Sequence, residues 1–327
     1  MNNSNGPRIV LGISSCLLGQ RVRYDGTARR DAYIIDTLAP YVEFVPICPE
    51  VESGMGVPRP PVQLVGDPAQ PRMLGVSDAR MDFTARMLQF GATVGPRIGS
   101  ISGYIFKSRS PSCGVRDTPV VAADGSVRAY GAGLFTRTIV AHDPHLPLQD
   151  ERALQAPETR DHFFERVFSY RRWQTHVAHA PTLAAVREFH VAHKYSLLAH
   201  HQGSYRLLGR RLAAATMNPN FTMSYAAQFF AALRTPATRA SHVNVLQHLV
   251  GYFKKTATAG ERGRIVELIS SYHSGAIALD VVLQEMRALN VRYPNAYLLK
   301  QLYLYPETDE AELRTNATTE HWDVTAP

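Results

Sequence analysis

Cysteine is scarce in this 327-residue chain: Cys16, Cys48 and Cys113 are the only three. An odd number of cysteines, 32 and then 65 residues apart, makes no disulfide framework and matches no zinc-finger spacing, so a reducing, cytoplasmic compartment is expected. No run of ~18 apolar residues is present, which predicts no membrane span. The opening MNNSNGPRIVLGISSC lacks the basic, apolar and small-residue regions of a secretory leader and reads as a true N-terminus. There is no internal repeat and no low-complexity tract. The remaining absence is local: Phe189 to Gly260 contains no Asp or Glu.

That last absence shapes the charge pattern. The net charge is +7, with 16 Lys+Arg against 14 Asp+Glu in residues 1–155 and 19 against 14 in residues 156–327. Within the carboxylate-free run lie Lys194, Arg206, Arg210, Arg211, Arg234, Arg239, Lys254 and Lys255, with six histidines. A single-sign field attracts polyanions, while the plain alternative is a solvated face.

The first part alternates between strand-like and helix-like stretches. Strands are expected at Arg8–Ser14, Val42–Ile47, Ser102–Phe106 and Phe135–Ala141, and helices at Arg29–Leu38 and Asp78–Leu88. This predicts an α/β domain with a mainly parallel, Rossmann-like sheet over residues 1–145. Proline-bearing, polar residues 146–160 read as a linker. Helical periodicity fills 161–305, giving an all-α domain, and 306–327 reads as a polar tail.

Each cysteine follows the carboxyl end of a separate expected strand, where parallel sheets hold their ligands. Their settings, SSCLLG, CPE and SPSCG, are turns whose backbone N–H groups suit thiolate or cluster sulfur. Scattered cysteines are also commonly inert core residues. As a ligand set, three thiolates suit an iron–sulfur cluster with one open iron better than zinc. Glu50, two residues after Cys48, is a candidate general acid/base; alternatively it caps a turn or pairs with an arginine. Arg21, Arg23, Tyr24, Arg59 and Lys107 flank these stretches and are candidates for holding a nucleotide's phosphate, or for fold-holding ion pairs.

SSCLLGQRVRYDG, ICPEVESGMGVPRPPVQLVG and KSRSPSCG together resemble the three signature stretches of the thiouracil desulfidase family, over about residues 7–145. The resemblance implies a [4Fe–4S] cluster held by Cys16, Cys48 and Cys113, with Glu50 as catalytic carboxylate and a catalytic serine at Ser110 or Ser112. It also implies non-redox replacement of C=S by C=O. Residues 160–305, with FHVAHKYSLLAHHQGSYRLLG, resemble a second, uncharacterised domain. The fused arrangement is similar to desulfidases acting on 4-thiouridine in tRNA. A basic helical domain agrees with that, since phosphate neutralisation releases counterions and supplies affinity.

His190, His193, Lys194, Tyr205, Arg210 and Arg211 are the expected RNA contacts in that domain, with metal binding or structural roles as alternatives for the histidines. The expected protein is a monomer or homodimer desulfidase whose partner is tRNA carrying 4-thiouridine. Two alternatives stand beside it. One is a desulfidase of free thiouracil or thiolated nucleotides that uses its helical domain to dimerise. The other is a non-catalytic iron–sulfur protein that binds RNA or senses redox state.

Overall fold

The computed structural model describes residues 8–216 and 218–315. The chain divides into two compact units, one of residues 1–171 and 312–327 and the other of 172–311.

Among the described residues the first unit contains eight strands. They are β1 (Ile9–Ser14), β2 (Val42–Ile47), β3 (Val62–Val65), β4 (Arg72–Gly75), β5 (Gly103–Phe106), β6 (Thr118–Val121), β7 (Val127–Gly131) and β8 (Leu148–Asp150). Its helices are α1 (Pro49–Glu52), α2 (Thr84–Thr93), α3 (Gly95–Ile98), α4 (Leu134–His142) and most of α5 (Pro157–Trp173). One sheet has the order β2-β1-β5-β8, and all its pairings are parallel. The expected α/β architecture with a parallel sheet is therefore present. β1 and β5 are buried almost throughout, as strands covered on both faces must be, hence their unbroken apolar runs. Gly12 faces Tyr104 across the β1–β5 register, and a Cβ there would stand 2.3 Å from the tyrosine ring. Only glycine lets that ring lie flat against the strand and stack on Phe106 at 4.0 Å.

A second, mixed sheet, β4-β3-β6-β7, has no counterpart in the sequence reading. Three further expectations are corrected. Phe135–Ala141 belongs to helix α4, with Leu134, Phe135, Thr136 and Ile139 buried. The fourth parallel strand is instead β8, inside the supposed linker 146–160, whose remainder forms a 3₁₀ turn (Ala153–Gln155) and the start of α5. The α5 residues Phe163, Phe164, Val167 and Phe168 then pack into the β1 core, so the boundary lies at Arg171/Arg172 rather than near 160. The tail expectation fails over its described part. Thr308–Thr315 is helical, Leu313 is buried, and Arg314 meets Asp161 at 2.6 Å; residues 316–327 lie outside the described residues. Helix starts also shift, with Tyr33–Leu38 forming a π-helical turn and α2 beginning at Thr84.

The second unit is helical, as expected. It comprises α6 (Leu183–His200), α7 (Gln202–Ala213), α8 (Pro219–Leu233), α9 (Arg239–Val250), α10 (Ala259–Ser274), α11 (Leu279–Arg292) and the first part of α12 (Thr308–Thr315). Thr238 and Thr258 begin α9 and α10 with reciprocal capping boxes. No described helix is long and apolar enough to cross a membrane.

Candidate active site

The carboxyl ends of β1, β2, β5 and β8 open onto a cavity of about 690 Å³. All three cysteines line it. Cys16 sits in the turn Ser15–Leu18 after β1, Cys48 in the step from β2 to α1, and Cys113 in the loop after β5. The last loop is fastened from behind by the start of α4. Leu134 N–H donates to Pro111 O at 3.0 Å, Thr136 N–H to Ser112 O at 3.2 Å, and the Thr136 hydroxyl to Cys113 O at 2.9 Å. The unpaired amides of a helix's first turn thus supply donors to the cysteine loop. Gly133 makes that approach sterically feasible, because a Cβ there would fall 2.4 Å from the Ser112 carbonyl carbon.

The sulfurs share one electrostatic neighbourhood. Burial, then the negative form of Cys48, pushes the Cys16 thiol up to about 11, while the Lys107 charge opposes this. Burial raises Cys113 well above the ordinary thiol value, opposed by a hydrogen bond from Ser14. Cys48 is also raised, chiefly by burial, and its sulfur lies 3.7 Å from Val22 O. Three free thiols, Cys16 and Cys113 buried and Cys48 half-buried, line one cavity, and Cys16 and Cys113 feel the negative form of Cys48, so a cationic group bound among them would be stabilised. A donor set of sulfur alone suits iron–sulfur chemistry rather than a hard cation, so the residues fit the cluster that the motifs imply. Among the described residues no group of three or more His, Cys, Asp or Glu is disposed to hold a single metal ion.

Glu50 lines the same cavity. Its Oε2 accepts from Arg59 Nε at 2.9 Å and Nη2 at 2.6 Å, and its Oε1 accepts from the Ser112 hydroxyl at 2.6 Å. Arg59 is buried and also donates to Gly56 O and Val22 O, so it cannot swing away. The arginine pairing anticipated as the plain alternative is therefore real, and it holds a carboxylate at the cavity wall. The two candidate serines separate clearly. Ser112 is fully buried and bonds Glu50. Ser110 lines the cavity, and its oxygen accepts the amides of Ser112 and Cys113 at 3.3 and 3.1 Å.

Lys107 is not a free cation. Its Nζ pairs with Glu151 and donates to Ser108 Oγ at 2.9 Å, while Glu151 also accepts Ser108 N–H and Oγ–H, both at 2.7 Å. For Lys107 and Arg59 the ion-pair alternative is the observed one. Glu151, which follows β8 and ties down the loop leading to Cys113, escaped sequence reading because its strand is three residues long. Arg23 stands 5.6 Å from the Tyr24 ring, Tyr24 is exposed, and Arg21 is exposed.

In the helical unit the expected RNA contacts scatter. His193 is buried, bonds Phe189 O at 2.9 Å and stacks on the Phe189 ring, so the RNA-contact reading is corrected to a structural one. His190 meets the buried Tyr225 hydroxyl at 2.9 Å, and burial lowers it to about 4, leaving it uncharged at neutral pH. Lys194 lies among Tyr195, Tyr205 and Tyr297, with Nζ 5.4–5.9 Å from their ring centres. Arg211 donates to Ser224 Oγ at 2.7 Å, holding α7 to α8. Arg210 stays exposed, as does Arg206 one turn before it.

Comparison with known proteins agrees with the division into two parts. The 2-thiouracil desulfurase family matches residues 11–151, and a domain described as a protein of unknown function (DUF1722) matches residues 194–307. The uncharacterised protein YbgA of Escherichia coli (strain K12) is 31% identical over 141 residues, which is 42% of this chain and 83% of that protein. A solved structure of the [4Fe-4S]-dependent thiouracil desulfidase TudS shares 28% identity over 47% of this chain and 95% of its own, at a TM-score of 0.37. Cys16, Cys48, Cys113 and Glu50 all lie within the span of the first match, and the chain joins a domain of the 2-thiouracil desulfurase family to a DUF1722 domain.

Proposed function

We propose that the protein is an iron–sulfur-dependent desulfidase that converts 4-thiouridine in tRNA to uridine. The observation that carries this reading is the meeting of Cys16, Cys48, Cys113 and an anchored Glu50 in one cavity at the carboxyl edge of the parallel sheet. A [4Fe–4S] cluster bound by the three thiolates would supply an iron without a protein ligand, a Lewis acid with affinity for the thiocarbonyl sulfur.

The chain's own groups do the rest. An ionised carboxylate offers about four acceptor sites, and Glu50 uses three of them on Arg59 and Ser112. The remaining site can take a proton from water as the oxygen adds to the carbon bearing sulfur. Ser112 positions that carboxylate. Ser110 is the serine that faces substrate, because the two amides engage its oxygen and leave its hydroxyl proton to donate. The net reaction consumes one water: C=S becomes C=O and hydrosulfide leaves with the second proton, with no change in oxidation state. A base inside a folded RNA must leave its stack to present its sulfur. The exposed cations of the carboxylate-free stretch, Arg206, Arg210, Lys254 and Lys255, support RNA as the carrier.

The test is anaerobic turnover of thiolated tRNA, 4-thiouridine and free thiouracil, read by loss of thiocarbonyl absorbance. The expected result is highest kcat/KM on tRNA, falling about 10²–10⁴-fold in Glu50→Gln. Equal or better turnover of the free base would overturn the tRNA assignment, and an undiminished Glu50→Gln would overturn the role of the carboxylate.

A further inference from the structure

Burial disfavours the thiolate at all three cysteines, and a different group opposes it at each. At Cys48 the amide of Val51 does so, followed by the Arg59 charge and the Glu50 amide. At Cys16 it is the charge of Lys107 and then that of Arg23. At Cys113, the most deeply buried of the three, it is the Ser14 hydroxyl. Helix α4 fastens the Cys113 loop through its backbone, whereas Ser14 acts on the sulfur itself.

The sheet puts Ser14 in place for this. It is the last residue of β1, a central strand paired with β2 on one side and β5 on the other. Its register with Ile47 ends the β1–β2 ladder. The residue is buried, yet it lines the cavity together with Cys113. Just beyond β5, Lys107 N–H donates to Ser14 Oγ at 3.0 Å. A hydroxyl has one proton to give and two acceptor sites. The amide takes an acceptor site, and among the described residues no oxygen or nitrogen accepts from Ser14. The proton is left for the sulfur, and a backbone amide fixes the oxygen that carries it.

A donor to a ligand sulfur draws electron density out of the metal–sulfur bond, orients the ligand and raises the reduction potential of an iron–sulfur centre. The same withdrawal strengthens Lewis acidity at iron, the property that the proposed reaction uses although it transfers no electron.

We propose that Ser14 is a positioning residue for the cluster, its hydroxyl donating a hydrogen bond to the Cys113 sulfur as that sulfur binds iron. The proposal rests on the cluster reading and is independent of which thiolated substrate is used. Its test is the midpoint potential of the full chain after anaerobic reconstitution, measured by redox titration of the visible absorption. Wild type is compared with Ser14→Ala, and with Ser14→Thr and Ser14→Val, which share a shape and differ in the hydroxyl.

At the wild-type midpoint, Ser14→Ala and Ser14→Val should show a reduced-to-oxidised ratio about tenfold lower, a fall of ~59 mV for one electron. Both should also lose iron to a chelator roughly tenfold more readily. Ser14→Thr should stay close to wild type in both readouts. A purely structural role would lower the unfolding temperature of Ser14→Ala and leave its potential unchanged, and that result overturns the proposal. So does a Ser14→Thr potential that moves with Ser14→Val, since shape and not the hydrogen bond would then be responsible. A wild type that takes up no cluster would overturn the proposal and the cluster reading together. A potential that responds as expected in a protein unable to desulfurise any substrate would sink the desulfidase reading alone.

Discussion

Arg59 in the α/β unit and Arg206 in the helical unit carry the same group to opposite ends. Arg59 is buried, with four hydrogen bonds to Glu50, Gly56 and Val22. Arg206 is exposed and, like Arg210, Lys254 and Lys255, has no carboxylate partner among the described residues. In the first unit, basic side chains beside the motifs mainly orient acidic ones; in the second, the carboxylate-free stretch 189–260 leaves exposed cations without acidic partners. Histidine behaves in the reverse of the usual expectation. His190, His193 and His200 turn inward, bonding Tyr225, Phe189 O and Thr235 O, so a histidine-rich stretch is here part of the core.

The comparison can be broken first at Arg59. Arg59→Ala leaves the Glu50 carboxylate without its partner at the cavity wall, and losing one member of such a buried pair costs about 3–5 kcal/mol. Chemical denaturation should register that loss, and Arg206→Ala should lie within about 0.5 kcal/mol of wild type. Equal effects would erase the contrast.

A smaller effect separates the buried histidines from a cationic surface. His190 is lowered from the ordinary 6.5 to about 4, so the unfolded chain takes up a proton that the folded chain refuses. Its contribution to stability is complete above pH 6.5 and is lost as pH falls towards 4. Thermal unfolding at pH 7 and pH 5 should show a loss for wild type that His190→Gln reduces. An identical pH response in both would make His190 irrelevant to acid sensitivity.

The smallest effect concerns the exposed ridge of α7. Arg206→Glu with Arg210→Glu should weaken tRNA binding and lower the magnitude of the slope of log K against log salt by about 2. An unchanged slope would remove α7 from the RNA-facing surface.

The physical scale of each signal explains what the sequence made legible. β1, β2 and β5 are apolar, β-branched runs that end in turns at cysteine or serine, so the common edge for Cys16, Cys48 and Cys113 followed from parallel-sheet geometry. β8 is three residues long and bounded by polar residues, too short for periodicity to mark, and Glu151 was lost with it. Residues 135–141 look strand-like in sequence because Thr136, Thr138, Ile139 and Val140 are β-branched. Tertiary bonding from the first turn of α4 to the cysteine loop overrides that propensity. The second sheet is built from four- and five-residue strands joined largely by hairpins, again below the reach of pattern. Ser110 and Ser112 lie two residues apart and differ in which way they face, a distinction that no sequence pattern marks.

The central claim is that Cys16, Cys48 and Cys113 together hold an iron–sulfur cluster beside Glu50. Anaerobic reconstitution followed by iron and sulfide analysis tests it most directly, on the wild type and on each single alanine variant. The account predicts about four irons and four sulfides per wild-type chain, with loss of the visible charge-transfer absorption in all three variants. A full complement retained by Cys16→Ala, Cys48→Ala or Cys113→Ala would contradict it.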